Sequence, residues 1–237
     1  MRSTDATVSP TTAAIVLQLL SGSTPTPLPR HRHELSREDV RETQRARVVA
    51  AAIELFADLG YSQTKVQDIT KSAGVSRKTF YELYANKEDV FLDAYQAVGV
   101  LIGEAGVGVD DTDDLSVTPE TMLEYAQRLL LVMAFAPAAT RMFFLEALGA
   151  GPRVRLRRNQ AIDEFVTATA PSLQDFRARY EPDLPALTIE QCHVAVAACI
   201  ELITQYLADH EAATLALLAP RLVDAVRAIV IPNYRSE

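Results

Sequence analysis

TKVQDITKSAGVSRKTFYELYANK, residues 64–87, decides how this chain folds. It divides at Gly74 into two short helical patterns. In the first, Val66, Ile69 and Ala73 recur at i, i+3 and i+7, a narrow stripe for burial. Thr64 and Gln67 have the T-x-x-Q spacing of a capping box, and Gly74 sits where the helix must hand over to a residue free to take positive φ. Ser76 is placed to cap the second pattern through its hydroxyl. There Phe80, Leu83 and Tyr84 fall at i, i+3 and i+4 and form the inward stripe. Arg77, Lys78 and Tyr81 take the same spacing on the other side. Two cations and a phenol on the open face of a short helix suit a duplex groove better than a core. Helix, glycine turn, helix is the helix-turn-helix pattern, whose second helix lies in the major groove.

Longer helices flank this module. Upstream, Val48, Ala52, Leu55, Phe56 and Leu59 form one stripe, and Gly60 is expected to end it. Downstream, Asn86 caps a helix whose first turn carries Glu88 and Asp89 and whose stripe is Val90, Phe91, Ala94, Val98 and Leu101. Helix N-termini present free amides and partial positive charge, so Thr64 and Lys87 are expected to clamp phosphates.

These residues resemble the TetR (tetracycline-repressor) family of one-component bacterial regulators from about Arg45 to Tyr95. The resemblance rests on AAxxLFxxxGY at 51–61, T-x-V-x-D-I at 64–69, A-G-V-S at 73–76, T-F-Y at 79–81 and Y-x-N-K-E at 84–88. It implies that Lys65, Ser76, Arg77, Lys78, Thr79, Tyr81, Tyr84 and Lys87 include the DNA contacts, with Phe80 and Ile69 in the core. Lys65 departs from the small Ser or Thr usual at its position. The resemblance also implies a helical second domain that binds a small molecule and dimerises, although no equally specific motif follows residue 100.

The chain has 237 residues, 49% of them apolar, enough for two helical units, and no alternating β-type run stands out. An all-α fold follows. It is divided as a flexible arm at 1–36, a helix-turn-helix domain at 37–86 and a helical ligand-binding and dimerisation domain at 87–237. The net charge of −8 argues against a protein that coats DNA indiscriminately. Charge is local, however: five cations against Asp68 and Glu82 give the 64–87 window +3 and leave −11 for the rest. An acidic body behind a basic reading head orients the approach to phosphate and makes binding salt-dependent.

The arm is rich in Ser, Thr and Pro and carries His31 and His33 beside Arg30 and Arg32. Its expected role is a solvated linker, with entry into a minor groove as the alternative. The apolar stretch Ala13–Leu20 is short, interrupted by Gln18 and lacks a basic start, so no signal peptide is assigned and a cytoplasmic location is expected. Cys192 and Cys199 lie about 10 Å apart along one helix, too far for a disulfide, and are expected as small core residues. Residues 104–118 form an acidic, glycine-containing connector without the ligand spacing of a calcium loop. No metal site, cofactor or nucleophile–base arrangement is visible, and no enzyme is expected.

Beyond Pro119 the helical pattern resumes. Tyr125, Leu129 and Met133, then Met142 and Phe143, then Phe165 make an adaptable apolar wall suited to a mostly hydrophobic ligand, with ordinary core as the competing reading. Glu146, which interrupts the apolar FFLEAL run, and His193 are the candidate polar contacts. Arg153, Arg155, Arg157 and Arg158 read as a solvated helix face. The last two helices, about 188–208 and 211–230, carry more apolar surface than one neighbour covers, which points to a homodimer through a four-helix interface. The expectation is a dimeric, ligand-responsive DNA-binding regulator, a repressor released from a palindromic operator by a mostly apolar small molecule. The alternative is a DNA-binding regulator controlled by a protein partner or co-ligand.

Overall fold

The computed structural model describes residues 37–107 and 117–233, and every regular element among them is helical. The arm at 1–36, with Ala13–Leu20 and the histidines, and the aspartates at 110–114 lie outside the described residues. The elements are α1 (Arg37–Gln63), α2 (Val66–Ala73), α3 (Arg77–Leu83), α4 (Lys87–Val107), α5 (Pro119–Phe135) and α6 (Pro137–Arg141). A π-turn (Met142–Glu146) follows, then α7 (Pro152–Tyr180), α8 (Ile189–Asp209), a 3-10 segment (Ala212–Leu218) and α9 (Ala219–Val230). Helix thus extends into the stretch read as connector, through Val107.

By packing, the chain forms two compact units. The first holds the described residues through Leu101 together with Ala136–Arg155; the second holds those of Ile102–Phe135 and those from Leu156 onward. This division differs from the motif boundary at residue 86, because α4 to Leu101 and the 136–155 segment pack with the reading head.

In the first unit α1 supplies the floor. Ala46, Val49, Ile53 and Phe56 are fully buried, and small alanines between them let neighbouring helices approach closely. Leu59, read as the end of this stripe, is 50% exposed, because the chain leaves the core at the next residue. Gly60 takes φ 79° and ψ 157°, a conformation L-residues avoid, and kinks the helix rather than ending it. Phe56, Tyr61 and Phe91 then pack as a triangle of rings with centroids 5.0 to 5.6 Å apart. Burying each phenylalanine contributes about 1.5–3 kcal/mol. In the second unit, Val166, Phe176, Leu187, Cys192, Val196, Val230 and Ile231 form one core, with Met122, Ile162 and Phe165 packed on it. Thr188 and Gln191 close a reciprocal capping box at the start of α8. The buried Arg177 donates to the carbonyls of Pro185 (3.0 Å), Ile229 (3.0 Å) and Val230 (2.7 Å), satisfying the free carbonyl end of α9 with a cation.

Candidate nucleic-acid interface

The reading head is built from its caps outward. The cap of α2 falls one residue later than the T-x-x-Q spacing implies: the Asp68 carboxylate accepts the Lys65 amide at 3.0 Å. Thr64, freed from capping, is 1% exposed and donates its hydroxyl to the carbonyls of Gly60 (2.8 Å) and Leu55 (3.1 Å). α2 ends at Gly74 with φ 62° and ψ 36°, and the Val75 amide returns to the Thr70 carbonyl at 3.1 Å. A Cβ at Gly74 would also stand 2.6 Å from the Arg47 guanidinium, whose flexible end would have to move, but the positive φ alone calls for glycine here. Ser76 then caps α3, its oxygen accepting the Thr79 amide at 3.0 Å.

Phe80 is the fully buried pin of α3, and Tyr81 lies edge-on to it with 57% of its own surface exposed. Ser76, Arg77 and Lys78 are exposed beside Tyr81. Arg77 donates to Gln67 at 2.9 Å, which ties the open faces of α2 and α3 together. Lys78 makes a 3.8 Å pair with Glu82, with both side chains largely in water, so it is readily exchanged for a phosphate or base. Lys65 is exposed at the start of α2, and Thr79 is half-buried with its hydroxyl 2.9 Å from that of Ser76. Arg77, Lys78 and Tyr81 therefore stand together on one solvent-facing surface, over a helix held from below by Phe80.

Residues 48–94 match the family model for bacterial regulatory proteins of the tetR family. The chain is 27% identical over 151 residues to the transcriptional regulator EthR of Mycolicibacterium smegmatis, covering 62% of this chain and 68% of that protein. Residues 48–94 are a tetR-family segment. A 57-residue stretch is 37% identical to YezE of Bacillus subtilis, an uncharacterized helix-turn-helix regulator, but spans only 24% of this chain and 29% of that protein. Among solved structures, FadR of Bacillus subtilis in complex with stearoyl-CoA superposes with a TM-score of 0.61 over 79% of this chain and 98% of that one. At 18% identity that likeness is one of fold.

Three expected DNA contacts of this head are otherwise engaged. Thr64 is buried under its two carbonyl acceptors. Tyr84 is 7% exposed and donates its hydroxyl to Asp93, itself 5% exposed. Its place on the inward stripe is as expected, but its hydroxyl faces the core and is not presented to DNA. Lys87 donates to the carbonyls of Tyr61 and Thr64 (2.8 Å for the latter) and lies 4.1 Å from the Tyr61 ring centre. Burial pushes its ammonium pKa down. Its first task is therefore to hold the turn ahead of α2.

The network behind Tyr84 has no counterpart in the sequence reading. Arg45 of α1 grips the Asp93 carboxylate with two bonds, 2.7 Å and 2.6 Å. The bond to Asp93 raises the Arg45 pKa, while burial and the Asp93 charge raise that of Tyr84. A carboxylate of α4 thereby joins α1 to the C-cap of the recognition helix. The signal was an acid at position 93, surrounded by the buried Val90, Phe91, Ala94 and Ala97.

The expected ligand residues fall in different units. Met142 is fully buried, and Phe143 stacks on Tyr95 at 4.1 Å, both in the first unit. Glu146, also there, accepts the Tyr61 amide at 2.7 Å instead of facing an apolar cavity. In the second unit Met133 is 4% exposed, Tyr125 and Leu129 are half-buried, and Phe165 packs against the main core. His193 points outward: its side chain is 47% exposed and lies 3.6 Å from Asp163, on an open groove of about 590 Å³ also lined by Arg158, Asn159 and Ile200. Of the arginine cluster, Arg153 pairs with Asp89 and Glu88, and Arg157 pairs with Glu164 at 3.2 Å. Among the described residues no group of His, Cys, Asp or Glu is placed to hold a metal ion, and no single helix is long and apolar enough to cross a membrane.

Proposed function

We propose that this chain is a homodimeric, ligand-responsive regulator of the TetR family, a repressor released from a palindromic operator by a mostly apolar small molecule. The observation that carries the DNA half is the exposed Arg77–Lys78–Tyr81 face over the buried Phe80. Arg77 or Lys78 reads base edges, each contributing about 1–3 kcal/mol of discrimination. Lys65, Ser76 and Thr79 hold phosphates, and Tyr81 serves either purpose. One short helix reads too few base pairs for a specific operator, so a second copy is required. In support of a dimer through α8 and α9, Ile189 and Val194 of α8 are 52% and 56% exposed, as is Leu217 at 75% just before α9.

The effector acts by binding the two head spacings unequally, with a coupling of about 1–3 kcal/mol. The fold shared with a stearoyl-CoA-bound FadR makes long-chain acyl-CoA the first ligand class to test. The test is selection of bound DNA from a random pool, followed by anisotropy across a salt series with and without stearoyl-CoA. A palindromic consensus, a steep salt slope and weaker binding with the acyl-CoA are expected. No enriched sequence would overturn the DNA half. Tight binding that no small molecule alters would favour control by a protein partner.

A further inference from the structure

We propose that Glu146 is a positioning residue for DNA reading, which fixes the turn that feeds the helix-turn-helix. This rests on the reading of the head as the DNA-binding surface. Residues 61–64, the last helical turn of α1 beyond its kink together with Thr64, are gripped from both sides. Lys87, at the start of α4, takes the Tyr61 and Thr64 carbonyls. Glu146, at the end of the π-turn, takes the Tyr61 amide at 2.7 Å. The same carboxylate lies 3.4 Å from where a Cβ would stand at Gly60, so it fits against the kink itself. Thr64 in turn bonds back to Gly60 through both its amide (3.3 Å) and its hydroxyl (2.8 Å), and α2 begins two residues later. α2 and α3 thus follow a turn whose Tyr61 amide is held by Glu146.

The π-turn aims that carboxylate. Met142 is fully buried and Phe144 is 9% exposed on one side of it, and Ala147 is fully buried just beyond. A π-turn holds one residue more than an α-turn, so rewinding it as α-helix would swing Glu146 by about 100° around the axis. The Tyr61 amide would then turn to water and the angle at which α3 is presented would loosen. Specific contacts require that angle; nonspecific phosphate contacts do not.

The sign of the effect separates positioning from charge. Glu146 is an anion in the unit that meets a polyanion, so removing it should strengthen binding if electrostatics alone acts. Positioning demands the opposite. The experiment uses the full chain and DNA selected from a random pool by the wild-type protein. Glu146→Ala should weaken specific binding about fivefold or more, leave affinity for unrelated DNA unchanged and speed hydrogen exchange at the Tyr61 amide. Glu146→Gln, whose amide oxygen accepts the same bond without charge, should stay within about twofold of wild type. Glu146→Ala binding as tightly as wild type, or more tightly, would overturn the proposal, as would Glu146→Gln as weak as Glu146→Ala. If Glu146→Ala does not fold, Glu146→Leu, which fills the space without an acceptor, is read by the same two outcomes. Failure of the wild type to select any sequence would instead strike the DNA reading beneath it.

Discussion

Replacing Asp93 by alanine should be among the most damaging single changes in the head, and replacing the whole network by apolar groups among the mildest. Asp93 is 5% exposed and accepts from Arg45 Nε, Arg45 Nη2 and the Tyr84 hydroxyl. Asp93→Ala leaves a partly buried guanidinium and a buried phenol facing each other without an acceptor. Breaking a buried pair from one side costs about 3–5 kcal/mol, mostly the penalty of the stranded charge. The Arg45 side chain is 27% exposed and can turn partly to water, which argues for the lower end of that range. Arg45→Met with Asp93→Leu and Tyr84→Phe strands nothing and should recover most of the loss.

The chain has no tryptophan, so urea unfolding is best followed by far-ultraviolet circular dichroism, with hydrogen exchange at α1, α3 and α4 amides to assign the transition to the first unit. Asp93→Ala should move those protected amides to faster exchange while α8 and α9 amides stay as they were. Specific DNA affinity should fall as well, because Tyr84 is the C-cap of the recognition helix. Loss of less than about 1 kcal/mol in the single variant, or a triple variant no better than the single one, would refute the account. Either result would mean that water, rather than the three side chains, already satisfies the site.

Phe80→Ala should cost about 3–5 kcal/mol of head stability by opening a cavity under α3, measured by the same exchange experiment; full stability with lost DNA binding would reverse the inside and outside of that helix. Ser76→Ala removes the bond to the Thr79 amide and should cost about 0.5–2 kcal/mol, with fraying confined to the first turn of α3. Arg77→Ala should weaken specific binding by about 1–3 kcal/mol without changing the melting temperature, and an unchanged affinity for selected DNA would remove it from the site. Burial pushes the Cys199 thiol up to about 11, so the reactive thiolate is scarce at neutral pH and alkylation should quicken only as pH rises toward that value or the chain unfolds. Rapid labelling of folded protein at pH 7 would contradict that burial.

What was legible in the sequence was whatever depends on spacing along one helix. The stripe Val90–Phe91–Ala94–Val98 and the opposed faces of α3 needed only the 3.6-residue period and the chemistry of their side chains, and both appear as expected. Missed were the roles that polar groups acquire from residues far away in the chain. Tyr84 carries a phenol that suits a phosphate, but Asp93 and Arg45 turn it inward, and Arg45 lies thirty-nine positions upstream. Glu146 looked like a polar group inside an apolar wall, which is how a ligand contact looks. Its partner is a backbone amide, which no pattern of side chains encodes, exposed by a kink at Gly60 whose dihedrals are equally invisible. Lys87 shows the same limit, since its acceptors are two carbonyls. In each case the sequence shows a polar residue where an apolar one would pack, but not the unpaired group that requires it. For this head, those backbone and buried groups lie around the turn at 61–64 and the C-cap of α3, so the least legible residues are the ones that set how the most legible helix meets DNA.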